Sequence, residues 1–169
     1  MKSILKMIVA VVLSVFILQG CGTYHFVQVP EETKVSKAFD IELTPIDMSI
    51  NDAYAGFYLS VTNNSAKEVK INWNKTYYME DNETLGTFMF DDTRFQDRLK
   101  AKAPDAIASH TTLTKYIYPN HYAVHYDHGW TNNGFDTGQR GILLTLVTNG
   151  KDINQTVILD IKSGEKEEK

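Results

Sequence analysis

Four of the five histidines, His110, His121, His125 and His128, fall within a short stretch of the chain, and their spacing raises the first chemical question. Imidazole is a ligand for zinc, copper or nickel, and three imidazoles can hold an open site that leaves a fourth position for water. His121-x3-His125-x2-His128, with Asp127 and Asp136 close by, has enough donors for such a centre. The spacing works against it. On a strand His121 and His125 share one face while His128 points to the other, unless the glycine at 129 lets residues 127–129 turn the chain. The competing reading is an edge strand and loop with solvated or hydrogen-bonded histidines. A metal centre on His121, His125 and His128 is therefore the secondary expectation, and no resident cofactor is expected.

The same region is rich in aromatic side chains. Tyr122, Tyr126, Trp130 and Phe135 lie in or beside the polar, turn-rich segment 130–140, WTNNGFDTGQR. Loops carrying Tyr and Trp at the end of a β-sandwich often form binding surfaces. Such rings equally often cover the end of the core. With His125, these four form the expected partner-facing patch. Other chemistry is missing: the chain has no G-x-S-x-G, no H-E-x-x-H and no glycine-rich phosphate loop. The adjacent pairs Asp91-Asp92 and Glu80-Asp81 diverge on a strand and are read as solvated or capping. The expectation is a protein that is not an enzyme; a hydrolase with a dispersed site is the remotest of the readings.

Cys21 is the only cysteine, which excludes an internal disulfide and a cysteine-based zinc site. Lys2 and Lys6 precede a 12-residue apolar run, 7–18, which ends in Leu18-Gln19-Gly20-Cys21. The layout is that of a secretory signal peptide, too short for the ~20 residues of a spanning helix. Its end resembles the lipobox of bacterial lipoproteins. The resemblance implies a diacylglycerol on the Cys21 thiol, cleavage after Gly20 and acylation of the new amino terminus. Two or more acyl chains hold a protein at a membrane without any spanning helix. Gly22 stands where the inner-membrane retention signals of Gram-negative lipoproteins usually have Asp, which implies the outer membrane in such a source.

Removal of residues 1–20 leaves 149 residues and takes away Lys2 and Lys6, so 15 basic residues face 21 acidic ones, a net charge of −6. An acidic domain has no electrostatic footprint for nucleic acid, which is excluded as a partner. The expected partners are the membrane, through the lipid, and a protein of the cell envelope.

Positioning these residues falls to short β-type runs. Segments 39–44 (FDIELT) and 57–62 (FYLSVT) alternate apolar and polar, and after the turn 63–66 the alternation resumes at 69–73 (VKINW), a pattern that predicts a hairpin of 57–62 with 69–73. Further strands are expected at 76–80, 84–90, 112–118, 122–126, 141–148 and 155–162, and a helix of one or two turns at most within 92–102. Residues 21–37, polar and without period, read as the lipidated N-terminus and a tether, and 163–169 as a charged tail. Residues 38–162 are thus expected to form one all-β domain, an immunoglobulin-like two-sheet β-sandwich with Trp73 central in its core; a small barrel is the alternative. The segment 57–78, with 107–119 closed by Tyr118-Pro119, resembles a pattern of uncharacterised β-sandwich lipoproteins of bacteria. That resemblance implies fold and location only.

Overall fold

The computed structural model describes residues 25–28 as backbone, and residues 37–48, 53–127 and 129–162 in full. Among these the chain forms thirteen strands: β1 (His25–Gln28), β2 (Phe39–Asp47), β3 (Tyr54–Asn63), β4 (Val69–Ile71), β5 (Tyr77–Glu80), β6 (Glu83–Thr84), β7 (Phe88–Met89), β8 (Asp105–Ile107), β9 (Thr112–Pro119), β10 (Ala123–Tyr126), β11 (Gly129–Asn132), β12 (Gly138–Thr148) and β13 (Lys151–Lys162). The only helical structure described is three single 3-10 turns, of which Phe95–Asp97 lies in the segment where a short helix is expected.

One sheet has the order β2-β3-β9-β7 and the other β1-β13-β12, with β4 and β5 succeeding one another along β12. Named in chain order, these are A-B-E-D and G-F-C, the two sheets of an immunoglobulin-like sandwich. Period-two alternation explains why the sheets close on each other. Phe57, Leu59 and Val61 of β3, Ile117 of β9, and Ile142, Leu144 and Leu146 of β12 are all fully buried. Each such side chain contributes about 1.5–3 kcal/mol by leaving water.

The strands at 57–62 and 69–71 do not pair as a hairpin. Strand β3 pairs with β2 and β9, whereas β4 pairs with β12 and β8, so residues 63–68 cross from one sheet to the other. Asn63 fixes this crossing. Its fully buried side-chain amide donates to the carbonyls of Lys67 (2.8 Å), Ile107 (3.0 Å) and Ala108 (3.1 Å), and its Oδ1 accepts from the Ser65 amide and hydroxyl. Alternation shows which residues share a face, not which sheet that face belongs to.

Strand C is interrupted. Between Leu146 and Leu143 of β12 three residues are passed, while their partners Ile71 and Tyr77 are six apart. The 3-10 turn Trp73–Lys75 absorbs the excess. Its polar groups are satisfied locally: Thr145 Oγ1 donates to the Lys75 carbonyl (2.6 Å), Thr76 Oγ1 donates to that of Asn72 (2.9 Å), and the Asn72 amide donates to that of Thr145 (2.8 Å). The turn carries Trp73 into the core, where its indole N–H donates to Asp105 (2.9 Å).

Within the segment expected to be a tether, His25–Gln28 pair antiparallel with β13, His25 opposite Lys162 and Gln28 opposite Leu159. Backbone pairing at the open edge of β13 requires no side-chain period, so the sequence carried no signal for β1. The apolar run 7–18, Cys21 and the tail 163–169 lie outside the described residues.

Candidate functional site

Strand β9 leaves its sheet at Pro119, and the chain then builds a separate two-stranded hairpin, β10–β11, in which His125 faces Trp130 and Tyr126 faces Gly129. Buried Asn132 holds its base, donating to the Pro119 carbonyl (3.1 Å) and accepting from the Gly134 amide (2.8 Å). Two residues, Asp127 and His128, separate the strands, and Gly129 comes next at φ +141°, in a backbone region that favours glycine.

The hairpin packs beside residues 91–96. The Trp130 indole N–H donates to the Thr93 carbonyl (2.8 Å), and its ring meets Tyr118 nearly edge-on at 5.6 Å. The Tyr118 hydroxyl donates to Asp91 (2.8 Å), and burial, reinforced by that carboxylate, holds the phenol above its ordinary pKa. The His125 and Phe95 rings are in contact, centroids 5.1 Å apart, with the Arg98 guanidinium 4.1 Å from the Phe95 centroid. Beside this contact opens a cleft of about 580 Å³, lined by Asp91, Asp92, Phe95, Gln96, His125 and Trp130 among others. Its volume falls in the range of small-ligand sites, typically about 300–1,000 Å³. Aromatic walls beside carboxylates and an amide can bind and orient a ligand with both apolar faces and hydrogen-bonding edges.

The four aromatics expected at a partner face separate. Tyr126 is 57% exposed near the hairpin tip, and Trp130 is half-buried in the cleft wall. Phe135 corrects the expectation: it is 2% exposed and stacks on Phe57 at 5.0 Å, while its backbone bridges to that of Tyr54. The bridge pulls the segment after the hairpin back over the core, so Phe135 is a core residue.

Tyr122 belongs to a different cluster. Its hydroxyl and that of Tyr78 (3.1 Å) both donate to one Glu80 carboxylate oxygen, while Arg140 pairs with the other (3.2 Å) and with Asp81 (3.0 Å). Burial, with the Glu80 carboxylate, pushes the Tyr122 hydroxyl up to about 12 and that of Tyr78 higher still. Glu80 is thus the partner of a buried arginine, whose side chain is only 7% exposed, rather than a solvated acid. The residues are some 60 positions apart, and an adjacent acidic pair in sequence gave no sign of the arginine.

Of the histidines, His121 stands edge-on to Tyr122 at 4.9 Å and is exposed, and His125 faces the cleft. His110 lies at the opposite end of the sandwich, its amide donating to the Asn63 carbonyl. Among the described residues no three His, Cys, Asp or Glu side chains converge as metal ligands, and His128 lies outside them.

No family model matches this chain, and neither a curated protein nor a solved structure matches it.

Proposed function

We propose that the protein is a lipid-anchored, extracytoplasmic binding module of a bacterial cell envelope, held at a membrane by acyl chains on Cys21 and acting without catalysis. The observation that carries this reading is Leu18-Gln19-Gly20-Cys21, closing a 12-residue apolar run behind Lys2 and Lys6. Gly22 in place of Asp favours the outer membrane where the envelope has two. The lack of a nucleophile or phosphate-loop motif supports binding over catalysis, and the cleft beside the β10–β11 hairpin offers a place for it.

Geometry relates the two parts. The four residues from Cys21 to His25 span at most about 14 Å. The register of β1 sets His25 beside Lys162, and Lys162 lies next to the Gly138 end of β12. Acyl chains would therefore attach at the end of the sandwich that also carries Pro119 and the hairpin, and the module would meet its partner close to the membrane.

Labelled palmitate fed to producing cells tests the anchor: incorporation into the wild-type chain and none into Cys21→Ala is expected. Label absent from wild type, or retained in Cys21→Ala, contradicts it. A photo-crosslinking residue at Tyr126 in intact cells tests the partner, with one recurrent adduct expected; adducts that do not recur contradict the reading.

A further inference from the structure

At the pole of the sandwich away from the hairpin, a second pocket of about 360 Å³ opens between the crossing 63–68, the turn after β12 and the start of β2. Strand β12 runs from Gly138 to Thr148, so at ~3.4 Å per residue this pole stands about 34 Å from the end beside the hairpin. Two residues, Asn149 and Gly150, turn β12 into β13. Both have positive φ, 51° and 71°, the conformation an Asn-Gly hairpin turn supplies. The turn sets Asn149 beside Lys67 of the crossing, whose Nζ donates to its Oδ1 (3.3 Å).

The floor of this pocket is apolar: Phe39 belongs to the core, and Ala38 and Ile153 pack half-buried against it. Its mouth is made of donors. The bond to Asn149 leaves two of the three Lys67 N–H groups free, and the Asn149 side-chain NH2 and the half-buried Thr148 hydroxyl have no partner among the described residues. The Ser65 hydroxyl is already engaged, with Asn63 and the Lys67 carbonyl. What remains open is an ammonium, an amide and a hydroxyl above an apolar surface.

Charge selects the occupant. Among the described residues Lys67 is the one charged side chain that lines the pocket. The neighbouring acids are turned elsewhere. Alternation sends Asp40 and Asp152 to the outer faces of the two sheets, where Asp40 accepts from the Asn64 amide (2.8 Å) and Asp152 pairs with Lys75, while Glu68 lies 3.6 Å from Lys70. Lys37 and Lys151, exposed next to Ala38 and Gly150, have no carboxylate partner among the described residues. This pole is thus locally cationic in a chain with 21 acidic and 17 basic residues. An ammonium ligand would meet no free carboxylate here, whereas a carboxylate would take charge-assisted bonds from Lys67. At about 30 Å³ per water, the volume matches roughly a dozen non-hydrogen atoms, room for a small acid and too little for a long acyl chain.

We infer that this pocket binds a small carboxylate with an apolar body, its oxygens at Lys67, Asn149 and Thr148 and its apolar part on Ala38 and Ile153. The site lies at the opposite pole from the cleft and does not depend on the lipid anchor, so palmitate labelling and the present test can fail separately. Titration of the full chain with isovalerate, phenylacetate and N-acetyl-Gly-Gly-Leu, followed through amide chemical shifts, tests it and separates a free acid from the end of a peptide. At least one carboxylate should give saturable shifts at Lys67, Thr148 and Asn149, and isoamylamine none. Affinity should fall tenfold or more in Lys67→Met, persist in Lys67→Arg, and stay unchanged in Lys100→Met, in the loop after Phe95. Circular dichroism of each variant confirms that it is folded. No saturable shift with any carboxylate, equal binding of isoamylamine, or undiminished binding in Lys67→Met would overturn the inference.

Discussion

Replacing Asn63 by Ala should unfold the crossing between the sheets before anything else. The side chain is fully buried and makes three donor contacts, to Lys67, Ile107 and Ala108, and two acceptor contacts, both from Ser65. A hydrogen bond contributes a net ~0.5–1.5 kcal/mol, and leaving a buried partner unsatisfied costs about 1–3 kcal/mol. The Ile107 carbonyl accepts one of these bonds in a buried setting, so its loss carries the larger cost, while the Ser65 groups reach water. The sum is a destabilisation of about 3 kcal/mol, or roughly 10 °C in Tm for a domain of this size. Asn63→Asp keeps the shape but aims a carboxylate at three carbonyls. Its folded pKa is therefore raised above the unfolded value, so its deficit against wild type should grow as pH rises above about 4. Urea unfolding of both variants, monitored by circular dichroism at neutral and acid pH, measures this. An Asn63→Ala deficit within about 0.5 kcal/mol of zero would show that the corner is held by strand pairing and not by Asn63.

The packing leads to three further outcomes. Phe135→Ala should cost about 3–5 kcal/mol in the same unfolding assay, whereas Tyr126→Ala should stay within about 0.5 kcal/mol, because one ring is in the core and the other in water. Arg140→Ala should destabilise by about 3–5 kcal/mol, since it strands Glu80 between two phenols, and Arg140→Ala with Glu80→Gln should recover part of that; no recovery in the double variant contradicts the pairing. Tyr122, Tyr78 and Tyr118 all have folded pKa values raised above the ordinary 10, so their contribution to stability is complete below pH 10 and is lost as pH climbs towards 12. Phenolate absorbance during alkaline titration should rise for these tyrosines only together with unfolding; their ionisation near pH 10 in the folded chain contradicts the burial.

Much of the sandwich was legible because period-two alternation survives wherever one face of a strand is buried. Strands β2, β3 and β4 showed it, β9, β12 and β13 were legible as short runs bounded by turn residues, and Trp73 is in the core where the sequence puts it. The features that could not be read have physical causes. The crossing at Asn63 depends on an amide reaching carbonyls more than 40 positions away. Strand β8 is three residues long and β1 is recruited by a free edge, so neither has room for a period. At the candidate site the sequence placed His125 and Trp130 in one patch, and the structure sets them opposite each other across a hairpin that the sequence reading did not contain. It could not show that residues 91–96 form the opposite wall, nor that the Tyr54 backbone draws Phe135 inward.

The anchor is the premise on which location and orientation both depend, and the chemical state of Cys21 decides it. Intact-mass and peptide mass spectrometry of the chain extracted from membranes should find Cys21 as the amino-terminal residue, with a diacylglyceryl thioether and residues 1–20 gone. A free thiol at Cys21, or a peptide running unbroken from Met1 through Gly22, would contradict the account.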